Sequence, residues 1–157
     1  MTAAASPDFD PLPREAGGGV VAIAAVTELP LDIDAHLKAV RTPAGGADVF
    51  FAGVVRDHDD GRSVTGIEYV AYPAAEAVLR QVAERIAARP EVLAIAISHR
   101  VGELLVGDAA LVAAVSCAHR GDAFAACAEL VDEVKAQLPV WKRQVFADGS
   151  DEWVGSA

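Results

Sequence analysis

Ala109–Ala118 reads AALVAAVSCA, ten residues without a charge. Gly107-Asp108 closes it on one side and His119-Arg120-Gly121 on the other. A run of that length bounded by turn residues is a central strand, and a central strand needs partners on both edges. The rest of the chain must therefore supply a sheet and the layers that cover it. A membrane span is excluded, because it needs about 18 uninterrupted apolar residues and Asp108 breaks the best candidate, Leu104 to Ala118.

The other segments fit that demand. Val20–Val26, Asp48–Val55 and Val92–Ser98 are apolar and strand-like, and Asp48–Val55 is expected to be buried on both faces. Val64–Tyr72 alternates as a strand does, Glu103–Val106 is short and extended, and Val140–Phe146 is the final strand before Asp148-Gly149. Between Arg56 and Arg62 lies a polar loop whose Asp-Gly step signals a hairpin, though the loop exceeds two residues. Helices are predicted over Leu31–Val40, Ala74–Ala88 and Gly121–Leu138. Pro73 is expected at the first helical position of the second. The third carries Phe124, Cys127, Leu130, Val131, Val134 and Leu138 as its apolar stripe. Strands joined by hairpins as well as crossovers make the class α+β.

A chain of 157 residues, 53% hydrophobic, forms one domain with a real core. Residues 1–19 are rich in Ala, Pro and Gly and read as a flexible tail, leaving 20–157 as the domain. The formal net charge of -10 disfavours nucleic acid and anionic membrane as partners. No signal-peptide pattern is present, and Cys117 and Cys127 read as buried thiols in a reducing cytoplasm. Without a CxxC pair, no zinc site of the usual spacing is expected.

Against this acidic background, five of the thirteen Lys and Arg residues fall between Arg100 and Arg143, beside His99 and His119. A pocket focuses its own field whatever the net charge, so a local anion site is compatible with the composition. His119 and Arg120 end a strand and precede a helix N-terminus, where free N–H groups favour an anion. The alternative is a surface arginine beside a core histidine. Lys135 is either a partner of the helix dipole or an anion-binding or catalytic lysine. Lys142 follows Trp141 and is either solvent-facing with its stem on the ring or part of a site. Arg56 and His58 sit at the mouth of the polar loop, and His99-Arg100, a second strand-end pair, is either a second anion contact or a structural pair, the structural reading being preferred. Cys117 and His119 share a strand face, but neighbours on one strand rarely orient for proton transfer. Tyr69, Tyr72, Phe124 and Trp141 read as core or interface aromatics.

Taken in order, several segments resemble the large, catalytic subunit of molybdopterin synthase. They are Phe51-Ala52-Gly53-Val54-Val55-Arg56-Asp57-His58, Ile67-Glu68-Tyr69 with Ala71-Tyr72-Pro73, and His99-Arg100-Val101-Gly102-Glu103-Leu104. The series continues with Gly107-Asp108, Ala118-His119-Arg120 with Ala123-Phe124, Lys135 with Pro139-Val140-Trp141-Lys142, Asp148-Gly149 and Trp153-Val154. The resemblance covers residues 20–154, and its sharpest part is the pair of lysines flanking Pro-x-Trp. One departure is Gln144, where members of the family often carry Glu.

The resemblance implies an α/β hammerhead-like mixed sheet with packed helices and a small antiparallel subsheet. It implies a homodimer whose subunits each bind a small ubiquitin-like sulfur carrier ending in Gly-Gly. The carrier's thiocarboxylate is then the co-substrate, no cofactor is bound, and the pterin substrate is cyclic pyranopterin monophosphate (precursor Z). By the same carry-over, Lys135 and Lys142 are catalytic, Arg56, His119 and Arg120 hold phosphate and pterin, and Phe51 shapes the pocket. The competing reading is a non-catalytic module that binds an anionic metabolite or the carrier.

Overall fold

The structure, a computed structural model, describes residues 18–155. The predicted tail, apart from Gly18 and Gly19, and the last two residues of the predicted domain lie outside the described residues. The elements are β1 Val20–Thr27, α1 Ile33–Val40, β2 Ala47–Val54, β3 His58–Asp59, β4 Arg62–Ala71 and α2 Ala75–Ala87. They continue as β5 Val92–Arg100, β6 Gly102–Leu105, β7 Ala109–Cys117, α3 Arg120–Gln137, β8 Val140–Phe146 and β9 Asp151–Gly155.

β7 is central, as its composition demands. The first sheet runs β1-β5-β7-β2, with β1 parallel to β5 and β7 antiparallel to both its neighbours. Alternation along β5 and β7 sends successive side chains to opposite faces. Ile95, Ile97, Leu111 and Val115 join the main core beneath α2 and α3. Ala94, Ala96 and Ala114 face the other way, with Val40 and Leu37 of α1. Asp32 caps α1, its carboxylate accepting from the Ala35 N–H at 3.1 Å. On this face His36 Nδ1 donates to the Asp32 carbonyl at 2.6 Å, and its Nε2 shares a hydrogen bond of 2.7 Å with the Ser98 hydroxyl.

The second sheet is built on β4, which pairs with β6 along one edge and β8 along the other. β9 extends it beyond β8, and β3 forms a hairpin with β4. A second core of Val55, Val64, Ile67, Tyr69, Leu104, Ala110 and Phe146 lies under this sheet. The hairpin turn is Asp60-Gly61, both at positive φ (48° and 73°), so the connection is shorter than the sequence predicts. It is the two-residue turn whose twist matches the strands, and Asp-Gly tolerates it.

Other expectations shift for identifiable reasons. Pro73 sits in a turn closed by the Ala75 N–H donating to the Tyr72 carbonyl, ahead of the first helical residue. On α3 the buried line runs through Ala123, Ala126, Cys127, Leu130, Val131 and Val134. Phe124 is exposed, because Ala123 takes the inward position and the next residue turns about 100° away. Tyr69 is a core aromatic, whereas Tyr72 and Trp141 are exposed and share a hydrogen bond of 2.9 Å from the indole to the phenol. β9 carries no readable alternation, because four of its five residues are exposed. No helix among the described residues is long and apolar enough to cross a membrane.

Two outcomes follow from the packing. Leu130→Ala is expected to lower stability by about 2–5 kcal/mol, read from the midpoint of urea unfolding. Burial pushes the thiols of Cys117 and Cys127 up to about 11. Both should therefore resist a disulfide reagent at pH 8 in the folded protein and react once guanidinium unfolds it.

Candidate active site

A cavity of about 170 Å³ opens where the ends of β2, β5 and α3 meet the face of β4 and β8. Arg56, Tyr69, His99, Lys135, Lys142 and Gln144 all line it. Each arrives by a local rule. Lys135 stands in the last turn of α3, one residue beyond buried Val134. Lys142 and Gln144 share a face of β8 because they are two residues apart. Tyr69 is the register partner of Lys142 across the β4–β8 ladder, which brings both onto the pocket side. Trp141 and Arg143 take the opposite face, where Arg143 pairs with Glu68 and Asp151 at 3.0 and 3.2 Å. Lys142 is therefore not packed on the neighbouring indole. Arg56 leaves the end of β2 and reaches Asp59 at 3.4 Å.

The charge balance of this cavity opposes that of the chain. Arg56, Lys135 and Lys142 line it against a single carboxylate, Asp59. Among the described residues neither lysine has a carboxylate partner within 4.0 Å, while most of the other cations do. Two unpaired ammonium groups converging on a concave, partly apolar space make an anion site.

Tyr69, His99 and Gln144 form the buried polar part of the lining. His99 Nδ1 donates to the Arg100 carbonyl at 2.7 Å, which fixes the tautomer and leaves Nε2 as the acceptor. Tyr69 meets the ring edge-on, centroids 4.9 Å apart. Burial, and secondarily the charge of Lys135, pushes the imidazole below its ordinary value, against the Arg100 carbonyl, which favours the protonated ring. Burial also raises Tyr69, so its phenol stays protonated. The Gln144 side chain is buried with its Oε1 unpartnered.

Arg56, Lys135 and Lys142 are thus brought together. His119 and Arg120 are not, within one chain: they are exposed at the first turn of α3, about 22 Å along the helix from Lys135. His119 occupies the N-cap position with extended backbone and makes no side-chain cap. Phe51 packs half-buried against the main core and does not line the cavity. The residues that sequence reading left out are His99, assigned a structural role, and Gln144. The signal was present for His99: Ile95-x-Ile97-x-His99 continues one buried face to the strand's end.

A buried histidine with a lowered folded value gives stability above its unfolded value, near 6.5, and that stability is lost as pH falls below it. The unfolding midpoint of the protein should drop between pH 7.5 and pH 5.5. The drop should be smaller in His99→Gln, which removes the titrating ring.

Comparison with known proteins bears on the family and the fold. A family model described as MoaE protein matches residues 26–137. The molybdopterin synthase catalytic subunit of Nostoc sp. strain PCC 7120 is 40% identical over 132 residues, covering 83% of this chain and 80% of that protein. The crystal structure of molybdopterin synthase from Staphylococcus aureus superposes with a TM-score of 0.74 at 30% identity, covering 90% of this chain and 99% of that one. A complex of subunits 1 and 2 of molybdopterin-converting factor from Helicobacter pylori aligns at TM-score 0.62 over 87% of this chain and 88% of that one. At 20% identity it bears on the fold alone.

Proposed function

This chain belongs to the MoaE protein family of molybdopterin synthase catalytic subunits, and we propose that its cavity is where sulfur is transferred. The substrate is cyclic pyranopterin monophosphate, and the sulfur comes from the C-terminal thiocarboxylate of a small ubiquitin-like carrier protein. Two transfers in turn give the dithiolene of molybdopterin. The observation that carries this reading is the convergence of two unpaired lysines, one from α3 and one from β8, on a single cavity.

The chemistry suits the residues. The carrier's thiocarboxylate and the substrate's phosphate are both anions, and a concave cationic pocket holds them without help from the bulk charge. Lys135 lies beside the carrier's C-terminus and assists the transfer. Lys142 binds the pterin substrate or moves a proton to or from it. Arg56 adds a guanidinium for phosphate, and Phe51 shapes the wall from behind, through β2. Neither cysteine relays sulfur, in keeping with thiols held protonated at neutral pH.

His119 and Arg120 enter the same scheme if the protein works as a homodimer. Both are exposed at the far end of α3 and no salt bridge holds either among the described residues. In a symmetric dimer they serve the cavity of the second copy, where the guanidinium and the helix N-terminus meet the phosphate.

The test is turnover with a thiocarboxylated carrier, with molybdopterin detected as its fluorescent oxidised derivative. Lys135→Ala should lose about 100-fold or more in turnover. Retained turnover would remove the role given to Lys135, and absence of any product with a carrier that binds would point to a non-catalytic module. Mixing Lys135→Ala with Arg120→Ala should restore about a quarter of wild-type activity if sites are shared between two copies. No recovery would place each site within one chain.

A further inference from the structure

His99 is only 2% exposed, yet it lines the cavity. Its face of β5 holds Ile95 and Ile97, both fully buried. An apolar side chain would continue that face at lower cost, because burying an imidazole without satisfying both nitrogens is unfavourable. Nδ1 is satisfied within the protein, and Nε2 is not among the buried unpartnered atoms, so it opens onto the cavity. Nδ1 donates to the Arg100 carbonyl, and Nε2 takes no hydrogen bond from the described residues. Tyr69 meets the ring edge-on, centroids 4.9 Å apart, and packs against it. Lys135 lines the same cavity as this ring, and its charge helps hold the imidazole below its ordinary value.

We propose that His99 is a positioning residue for Lys135: its Nε2 lone pair accepts one N–H of the ammonium and aims the other two at the anion in the pocket. This rests on the function proposed above. A carboxylate in that position would also hold the lysine, but it would cancel the charge that attracts a thiocarboxylate. A neutral imidazole holds Nζ and leaves the cation intact. Burial keeps the ring neutral at neutral pH. In acid the protonated ring can no longer accept, and it repels Lys135. The groups facing it are Lys135 from α3, Lys142 from β8, Tyr69 from β4, and Arg56, His58 and Asp59 from the β2–β4 connection.

The experiment is the pH profile of kcat for the full chain with thiocarboxylated carrier and pterin substrate. The wild type should show an acid limb centred below about 6.5, the ordinary imidazole value. His99→Leu should lose roughly tenfold in kcat, the effect of one hydrogen bond to a charged group, with KM nearly unchanged. His99→Gln, which keeps an acceptor near the Nε2 position, should recover most of that loss and show no acid limb. His58→Asn should keep the limb.

A readout independent of the His99 variants is the ring 15N titration of His99 in wild type and in Lys135→Ala. Without the lysine's charge, His99 should titrate at higher pH. An unchanged titration overturns the proposal. So does a His99→Leu protein with wild-type kcat and an intact acid limb while Lys135→Ala is inactive. A fully active Lys135→Ala protein would instead overturn the function proposed for the pocket.

Discussion

The antiparallel pair of β5 and β7, buried on both faces, is the constraint on which everything else rests. Along β5 its side chains are graded by size. Alanines at 94, 96 and 114 let the short helix α1 lie close on one face, while Ile95, Ile97 and Val115 fill the wider space under α2 and α3. Inverting that grading would leave a void on one side and a clash on the other, and interiors packed to crystal-like density tolerate neither. Because β5 and β7 cannot shift, the end of β5 and the last turn of α3 are held in register. His99 and Lys135 inherit their positions from that core.

The cavity is a seam between two units. Lys135 belongs to the layered sheet and helices, whereas Lys142, Tyr69 and Gln144 belong to the second sheet. This separation accounts for the electrostatics. A pair of lysines on one element would repel each other through its own geometry, but two elements can each carry one cation and meet around an empty space. Most other cations of the described residues are paired, as Arg89 is with Glu129 and Arg85 with Glu133. Both unpaired lysines are thereby placed where an anion can enter.

Much of this was legible in the residues. The central strand, the three helices and the α+β class follow from uncharged runs, helical spacing and punctuation by Gly and Pro. The two lysines stood out because the chain has only three. What was not legible depended on packing across the sheets. β9 lacked a signal because an exposed edge strand has no apolar alternation to read. Phe124 misled because the helix buries the small Ala123 and Ala126 and leaves the larger side chain outside. The separation of His119 and Arg120 from the lysines is a matter of helix length, visible only once α3 is known to be unbroken from Arg120 to Gln137.

The ladder that seats Lys142 joins residues far apart in the chain: Val64 pairs with Phe146, and Tyr69 with Lys142. The parallel β1–β5 pair likewise waits for Val20 to meet Ala94. Helices can form on a local timescale, but these closures carry the entropy of long loops and come late. A refolding chain therefore passes through states in which Lys135 already has its helix and Lys142 has no partner strand. Recovery of anion binding would trail recovery of helical signal, so the seam makes ligand affinity a clock for the last step of assembly.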